Sequence, residues 1–394
     1  MKILVAEDEL ISRTMLQRDL EKLGYDVAVA ENGRQAWDLF EEDEFQLVLS
    51  DWMMPEMNGL DLVRKIREAG RENYVYVILL TSRAEKSDIV EGMEAGADDF
   101  ITKPFVLDEL RVRLHAGERV LRLEQSLAIQ NRRMKQDLNA AAEVQQSFLP
   151  AKVPTSPRAR FAWEYMPCDE LAGDTLNVFQ LDETHIAFYV ADVSGHGVRA
   201  ALLSVTLSRV MTAQGDGSSV LIEVGDSGDD ARILSPVEVV TALNRRFPMD
   251  EKTSQYFTLI YGILDTESLL CRCVCAGHPG PVLIAGDGSS RLIPVSGFPI
   301  GVVDEEIFEI EDHEIRMSEG DRFYMYSDGI PETFNAADEE FGTQRVLDAL
   351  ENCRAEDLEA SISGLLSEIQ SWREDPVADD DISIIGLEIV AREV

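Results

Sequence analysis

Five short apolar runs and five amphipathic runs alternate without a break across residues 1–120. The strand runs are KILVAE, DVAVA, QLVLSD, VYVILLTS and DFITKP. The helical runs are ISRTMLQRDLEKLG, GRQAWDLFEE, GLDLVRKIREA, EKSDIVEGMEAG and VLDELRVRLH. A strand buried on one face alternates apolar with polar residues. Near-continuous apolar runs require cover on both faces. The order therefore predicts a doubly wound α/β domain of five parallel strands. Its ligand crevice should lie at the C-terminal strand ends, near the point where strand order reverses.

The polar residues at those ends form a set. Glu7 and Asp8 close the first strand, Asp51 the third, Thr81 the fourth and Lys103 the fifth. One acid at such a place is an ordinary helix N-cap, but five matched positions are not explained that way. Three carboxylates in one crevice repel each other unless a hard cation joins them, and Mg2+ suits an oxygen-only set. Asp51 could then attack a phosphoryl group while Lys103 and Thr81 hold its oxygens. The segments AEDE, SDWMMPEMNG, LLTS and TKPF resemble the motifs of the response-regulator receiver family, the CheY-like domain of two-component signalling. The resemblance covers residues 1–120. It implies that a cognate histidine kinase phosphorylates Asp51. It implies that Glu7, Asp8, Asp51 and the Met53 backbone carbonyl hold Mg2+. It makes Thr81 and Phe100 the switch pair, with Phe a conservative variant of Tyr.

Residues 106–150 contain few glycines and no proline before Pro150. Leu127, Met134, Leu138, Ala141 and Phe148 follow a heptad-like spacing, with Asn131 and Gln145 as polar seam positions. This predicts a last receiver helix running on as a connector; about 40 residues at about 1.5 Å each span roughly 60 Å. An isolated helix of that kind needs a partner, and a parallel coiled-coil homodimer supplies one. A helix folded back on one of its own domains is the other arrangement. AAAEVQQSFLPA resembles the helix and stop that precede one class of bacterial phosphatase domain.

From about residue 155 the pattern turns β-rich. Strand-like runs are RFAWEYMP, THIAFYVAD, YFTLIYGILD, LLCRCVCAG, PVLIAG, EIFEIEDHEI, DRFYMYSDG and DISIIGLEIV. Helices are expected over ALLSVTLSRVMTA, SPVEVVTALNRRF and about 344–374. The Gly-, Ser- and Asp-rich stretch 214–232 reads as a mobile surface loop. Strands in series with interspersed helices predict an α+β sandwich over about 155–392. Four acids end or begin apolar strands: Asp174, Asp192, Asp328 and Asp380. Singly, each is a turn former. Four converging on one edge are better explained by divalent metals, which would lower the pKa of a bridging water and clamp a phosphate.

FYVADVSGHG also invites a Ser/His nucleophile reading. Ser194 does not sit in a GxSxG elbow, because Asp192 precedes it by two. The glycines here permit a tight turn and close backbone approach to a ligand. CRCVC places Cys271, Cys273 and Cys275 on one strand face without the two-residue spacer usual in zinc sites, so core thiols are expected. An odd total of five cysteines and an acidic N-terminal strand, with no apolar leader, predict reduced thiols in the cytoplasm. No apolar run reaches membrane-spanning length. A net charge of −38 disfavours nucleic acid and anionic membranes as partners.

The pieces GD at 173–174, ADVSGHGVRAALL, FTLIYGILD, CAGHPGPVLI, SGFPIG, YSDGIPE and DDISII occur in the order found in the SpoIIE/RsbU-type metal-dependent Ser/Thr protein phosphatases. These are relatives of the protein phosphatase 2C class. The resemblance implies Asp192 bridging two Mn2+ or Mg2+ ions, the Val193 carbonyl and Asp174 on the first, Asp328 and Asp380 on the second, and Asp381 behind them. One departure stands out: where the family often reads GGD, two aromatics and Asp, this chain has AGDTLN, with Asn177 in place of the second acid, where it would sit behind the metal and bond a metal-held water without adding charge. Together the two resemblances imply a response regulator whose phosphorylation controls a protein-serine/threonine phosphatase. Its implied substrate is a phosphorylated STAS-type anti-sigma antagonist in a partner-switching pathway. The alternative is a non-catalytic adaptor that binds a partner such as a sigma factor.

Overall fold

The computed structural model describes residues 1–71, 73–82, 86–213, 219–224, 231–249, 254–373 and 378–392, with side chains at 86–89 and 224 excepted. The chain divides into two compact units, residues 1–135 and 136–394.

The first unit runs β1 (Lys2–Ala6), α1 (Leu10–Lys22), β2 (Asp26–Ala30), α2 (Gly33–Glu42), β3 (Leu47–Asp51), α3 (Gly59–Glu68), β4 (Tyr76–Thr81), α4 (Lys86–Glu94), β5 (Asp99–Thr102) and the start of α5 (Leu107–Gln146). All strands are parallel, in the order β2-β1-β3-β4-β5. The expected coverage of both faces is realised within single strands. Ile3 and Val5 enter a core beside α1 and α5, whereas Leu4 and Ala6 enter a second core beside α2 and α3. Strand order reverses between β1 and β3, so Glu7, Asp8 and Asp51 flank the switch point.

α5 is one helix of 40 residues. Leu110, Leu114 and Leu121 are buried in the first unit's core. Beyond them Leu123, Leu127, Ile129, Met134 and Val144 are exposed apolar side chains. The helix ends at Gln146, so Phe148 of the expected seam lies past it.

The second unit contains β6 (Ala159–Met166), β7 (Thr175–Gln180), β8 (His185–Val193), α6 (Val198–Val210), β9 (Ile222–Val224), β10 (Ala231–Ile233), α7 (Pro236–Arg246), β11 (Phe257–Asp265), β12 (Leu270–Ala276), β13 (Val282–Ile284), β14 (Ser290–Leu292), β15 (His313–Arg316), β16 (Arg322–Tyr326), α8 (Gly342–Asn352), α9 (Leu358–Arg373) and β17 (Ile382–Ile389). Two antiparallel five-stranded sheets, β15-β12-β11-β8-β7 and β14-β13-β16-β17-β6, face each other. Ile186, Phe188 and Val190 of β8 point into the core between the sheets, with Phe323 and Met325 from the other side. Ala187, Tyr189 and Ala191 point outward under α6 and α7, while α8 and α9 cover the second sheet. Cys271, Cys273 and Cys275 are buried in the inter-sheet core, the place expected for CRCVC.

Three local expectations change. The strand expected over EIFEIEDHEI contracts to β15, because the Ile307 and Phe308 amides both bond to the Asp304 carbonyl and make a turn. β7 is a strand that its Thr, Asn and Gln content conceals. The stretch 214–232 carries β9 and the start of β10, an antiparallel ribbon, while 214–218 and 225–230 lie outside the described residues. Among the described residues no helix is long and apolar enough to cross a membrane.

Candidate functional site

In the first unit the acids meet as expected at the strand ends. Glu7 is 1% exposed, and ligand oxygens of Glu7, Asp8 and Asp51 lie within 4.8 Å of one another. Lys103 Nζ stands 2.7 Å from Glu7 Oε2 and 2.9 Å from Asp51 Oδ2, so one cation serves two carboxylates. Burial, opposed by the Lys103 bond and reinforced by Asp51, holds the Glu7 carboxyl above its ordinary value. Burial pulls Lys103 down, but its bonds to Glu7 and Asp51 win and hold it above. The Trp52 amide donates to Asp51 Oδ1 at 2.8 Å, leaving Oδ2 on the Lys103 side. Thr81 is buried at the end of β4, and Phe100 lies on the neighbouring β5, packed against the core. Met53 follows Asp51 by two residues with its side chain exposed.

The second cluster is built by register. β8 ends and β7 begins at the same edge of one sheet; β16 ends and β17 begins at an edge of the other. Asp174 and Asp192 continue the inward parity of Leu176 and Val190, and Asp381 that of Ile385. Their side chains therefore meet at the mouth of the inter-sheet core. Burial, and after it Asp328, Asp380, Asp381 and Glu332, push the Asp192 carboxyl up to about 8. Burial and then Asp380 and Glu332 push Asp328 up to about 6. Burial also raises Asp380, against the bond from the Asp381 amide and with the Asp381 charge adding to it. Asp174, 2% exposed, is driven well above its ordinary value by burial and then by Asp192. Its Oδ2 has no hydrogen-bond partner; Ser383, near enough to temper the shift, does not bond to it. Asp381 instead holds backbone, accepting from the Cys168 amide at 2.9 Å and the Gly173 amide at 2.7 Å. A Cβ on Gly173 would stand 2.6 Å from the Val193 carbonyl oxygen, so only glycine lets this loop close on β8.

Carboxylates that raise one another's pKa, with an orphaned oxygen among them, are short of positive charge. That donor set fits hard divalent cations.

The family model described as Stage II sporulation protein E (SpoIIE) matches residues 182–390. The chain belongs to this family. The response regulator receiver domain model matches residues 3–115. Chemotaxis protein CheY1 of Helicobacter pylori is 37% identical over 116 residues, 29% of this chain and 94% of that protein. A probable transcriptional regulatory protein of Picosynechococcus is 43% identical over 122 residues, 29% of this chain and 48% of that one, so the match spans about half of that relative. Among solved structures, the SiaA-PP2C domain of Pseudomonas aeruginosa aligns with a TM-score of 0.52 at 17% identity, over 66% of this chain and 99% of that one, a likeness of fold. The chain is thus a response regulator in which a receiver precedes a SpoIIE-type, PP2C-like domain.

In the second unit, two polar residues make bonds that the sequence reading did not anticipate. Gln145, expected on a coiled-coil seam, is 8% exposed. Its Nε2 donates to the Ala172 carbonyl at 2.7 Å and to Ser204 Oγ at 2.8 Å, and its Oε1 accepts from the Ala172 amide at 3.3 Å. The end of α5 is thereby tied to the residue before Gly173 and Asp174, and to α6. Asn177, expected behind a metal, instead donates to the Phe148 carbonyl at 3.2 Å and accepts from the Val178 amide. Its amide serves the segment after α5.

Ser194 and His196 do not pair. The Ser194 hydroxyl accepts from the Tyr256 amide at 3.0 Å, while exposed His196 stands 4.0 Å from Asp169. Gly195 and Gly197, with φ of +84° and +79°, make the turn that leads into α6. Glu332 and Cys168 border the cluster without having been singled out in the sequence. Glu332 follows Asp328 by four residues, and the Cys168 sulfur lies within 4.8 Å of carboxylate oxygens of Asp380 and Asp381.

Proposed function

We propose that this chain is a two-component response regulator in which phosphorylation of Asp51 controls a metal-dependent protein-serine/threonine phosphatase. The domains in this reading are the receiver (1–120), the connector (106–150) and the phosphatase domain (155–392). The observation that carries it is the buried Asp174, its Oδ2 unpartnered, beside Asp192 at the mouth of the sandwich, with Asp328 and Asp380 near enough to raise the Asp192 carboxyl. Asp192 would bridge two Mn2+ or Mg2+ ions, with Asp174 and the Val193 carbonyl on one and Asp328 and Asp380 on the other. Such ions, when bound, offset the carboxylate charge, polarise a phosphate and make water nucleophilic at neutral pH. Asp381 holds the Cys168 and Gly173 amides and so fixes the loop that presents Asp174. Ser194 is occupied by the Tyr256 amide, which favours direct transfer of the phosphoryl group to water.

In the receiver, Glu7, Asp8, Asp51 and the Met53 carbonyl would hold Mg2+. Lys103, now on Asp51 Oδ2, would take a phosphoryl oxygen, and Thr81 and Phe100 would respond to it. Gln145 supports a route for the signal, because it joins the end of α5 to the backbone beside Asp174. The exposed apolar residues Leu127 and Met134 favour a homodimer through the connector. The reading names a cytoplasmic protein, a cognate histidine kinase as phosphodonor and a phosphorylated STAS-type anti-sigma antagonist as substrate. The test is Mn2+-dependent hydrolysis of p-nitrophenyl phosphate by the full chain, with and without a phosphodonor. Activity should vanish in EDTA and in Asp192→Ala. Absence of any metal- and Asp192-dependent turnover in both states would leave the adaptor reading, in which the domain binds a partner without catalysis.

A further inference from the structure

Thr258 lies directly opposite Asp192 in the β11–β8 register, so the two side chains share the inner face of the sheet. The Thr258 hydroxyl is 2.6 Å from Nδ1 of His278, a residue 5% exposed in the loop after β12. Nε2, on the other edge of the ring, is buried and has no hydrogen-bond partner. The Cys275 thiol donates to the His278 carbonyl at 2.9 Å and fixes the backbone that carries the ring. Burial pushes the imidazole down to about 3, so it is neutral at any working pH. In the neutral ring with its proton on Nε2, Nδ1 accepts from the Thr258 hydroxyl. β8 and β11 are neighbours in one sheet. One buried ring therefore backs the strand end that bears Asp192, with its unpartnered nitrogen turned away from that bond.

We propose that His278 is a positioning residue that fixes the strand end bearing Asp192 through Thr258, and with it the affinity of the site for divalent ions. The proposal rests on the metal-site reading above. A ring that only filled space would leave ion affinity unchanged once the fold was intact. Ring, hydroxyl and register instead make a support behind the carboxylates, of the kind whose loss weakens metal binding about ten- to a hundredfold.

The experiment follows Mn2+ binding to the full chain by loss of the free-ion electron paramagnetic resonance signal, with Asp8→Asn carried throughout to weaken the receiver pocket. His278→Ala should lower affinity about ten- to a hundredfold. Thr258→Val, which keeps shape and loses only the hydroxyl, should lower it in the same direction. The double variant should add little to His278→Ala, and His278→Gln should recover part of the loss. Unchanged affinity in Thr258→Val overturns the proposal, even where His278→Ala fails to fold. Adding Asp192→Ala separates the two levels. If it leaves binding unchanged, the metal-site reading fails and this inference with it. If binding depends on Asp192 but not on Thr258 or His278, this inference alone fails.

Discussion

Replacing Asp192 by Asn should make the metal-free phosphatase domain more stable and the metal-loaded one less so. The Asp192 carboxyl, ordinarily near 3.8, is pushed up to about 8 by burial and by Asp328, Asp380, Asp381 and Glu332. Between those values the folded, metal-free state holds a proton that the unfolded chain has released. Stability therefore falls as pH rises through that window, and is highest below it. At about pH 7 the difference spans roughly three decades of acidity, which at about 1.4 kcal/mol per decade costs about 4 kcal/mol. Asn removes the charge at nearly the same volume but leaves a buried amide, which takes back about 1–3 kcal/mol where it lacks partners. The net gain is about 1–3 kcal/mol, or about 2–10 °C in Tm for a domain of this size. The assay is scanning calorimetry of the full chain in EDTA at about pH 7.5 and about pH 5, then with excess Mn2+. The gain should shrink toward the lower pH, where releasing this proton favours the unfolded wild-type chain less. With Mn2+ the order should reverse, because ions bound to the native state stabilise wild type and lose a ligand in the variant. A Tm in EDTA that falls, stays level or ignores pH would refute the electrostatic account of this cluster.

Gln145→Ala leaves the Ala172 amide and carbonyl and the Ser204 hydroxyl short of partners, so the phosphatase domain should lose about 1–3 kcal/mol in urea titration. Its p-nitrophenyl phosphate hydrolysis should also stop responding to a phosphodonor, whereas Gln146→Ala, on an exposed residue, should leave both unchanged. Met134→Glu with Leu127→Glu places charge on the exposed apolar side of α5 and should convert a dimer to a monomer in sedimentation; a wild-type monomer would dismiss the connector dimer. Asp51→Asn should abolish Mg2+-dependent labelling by radiolabelled acetyl phosphate, and labelling that persists would place the acceptor elsewhere.

The two units are legible in the sequence to different degrees, for physical reasons. In the receiver, local order carries the site: every acid sits at a strand end, and parallel topology sends all such ends to one edge. The phosphatase-type acids are legible on the same ground, at the ends of β8 and β16 and the starts of β7 and β17. The residues behind them are not. Thr258 becomes a neighbour of Asp192 only through antiparallel register, and His278 only through the approach of two sheets. Glu332 is one acid among 74. Gln145 misleads because a lone amide in a heptad resembles a seam polar residue, and only the fold shows it turned onto Ala172. Asn177 reads as a weakened ligand because it stands where relatives carry an acid, yet its partner lies after α5.

The three hydrogen bonds of Gln145 also limit how finely the end of α5 could be adjusted. A helix moved by one residue shifts about 1.5 Å and turns about 100°, while a hydrogen bond is lost within a fraction of that distance. Val144 and Gln146 on either side are exposed and do not replace it. Withdrawing Gln145 strands both polar groups of Ala172 where they are buried, so an intermediate position has nothing to hold it. If α5 carries the proposed signal, this joint would act as a latch with an engaged and a released setting. Such a message would arrive as a yes or a no, with any grading of the response set by the fraction of molecules in each setting.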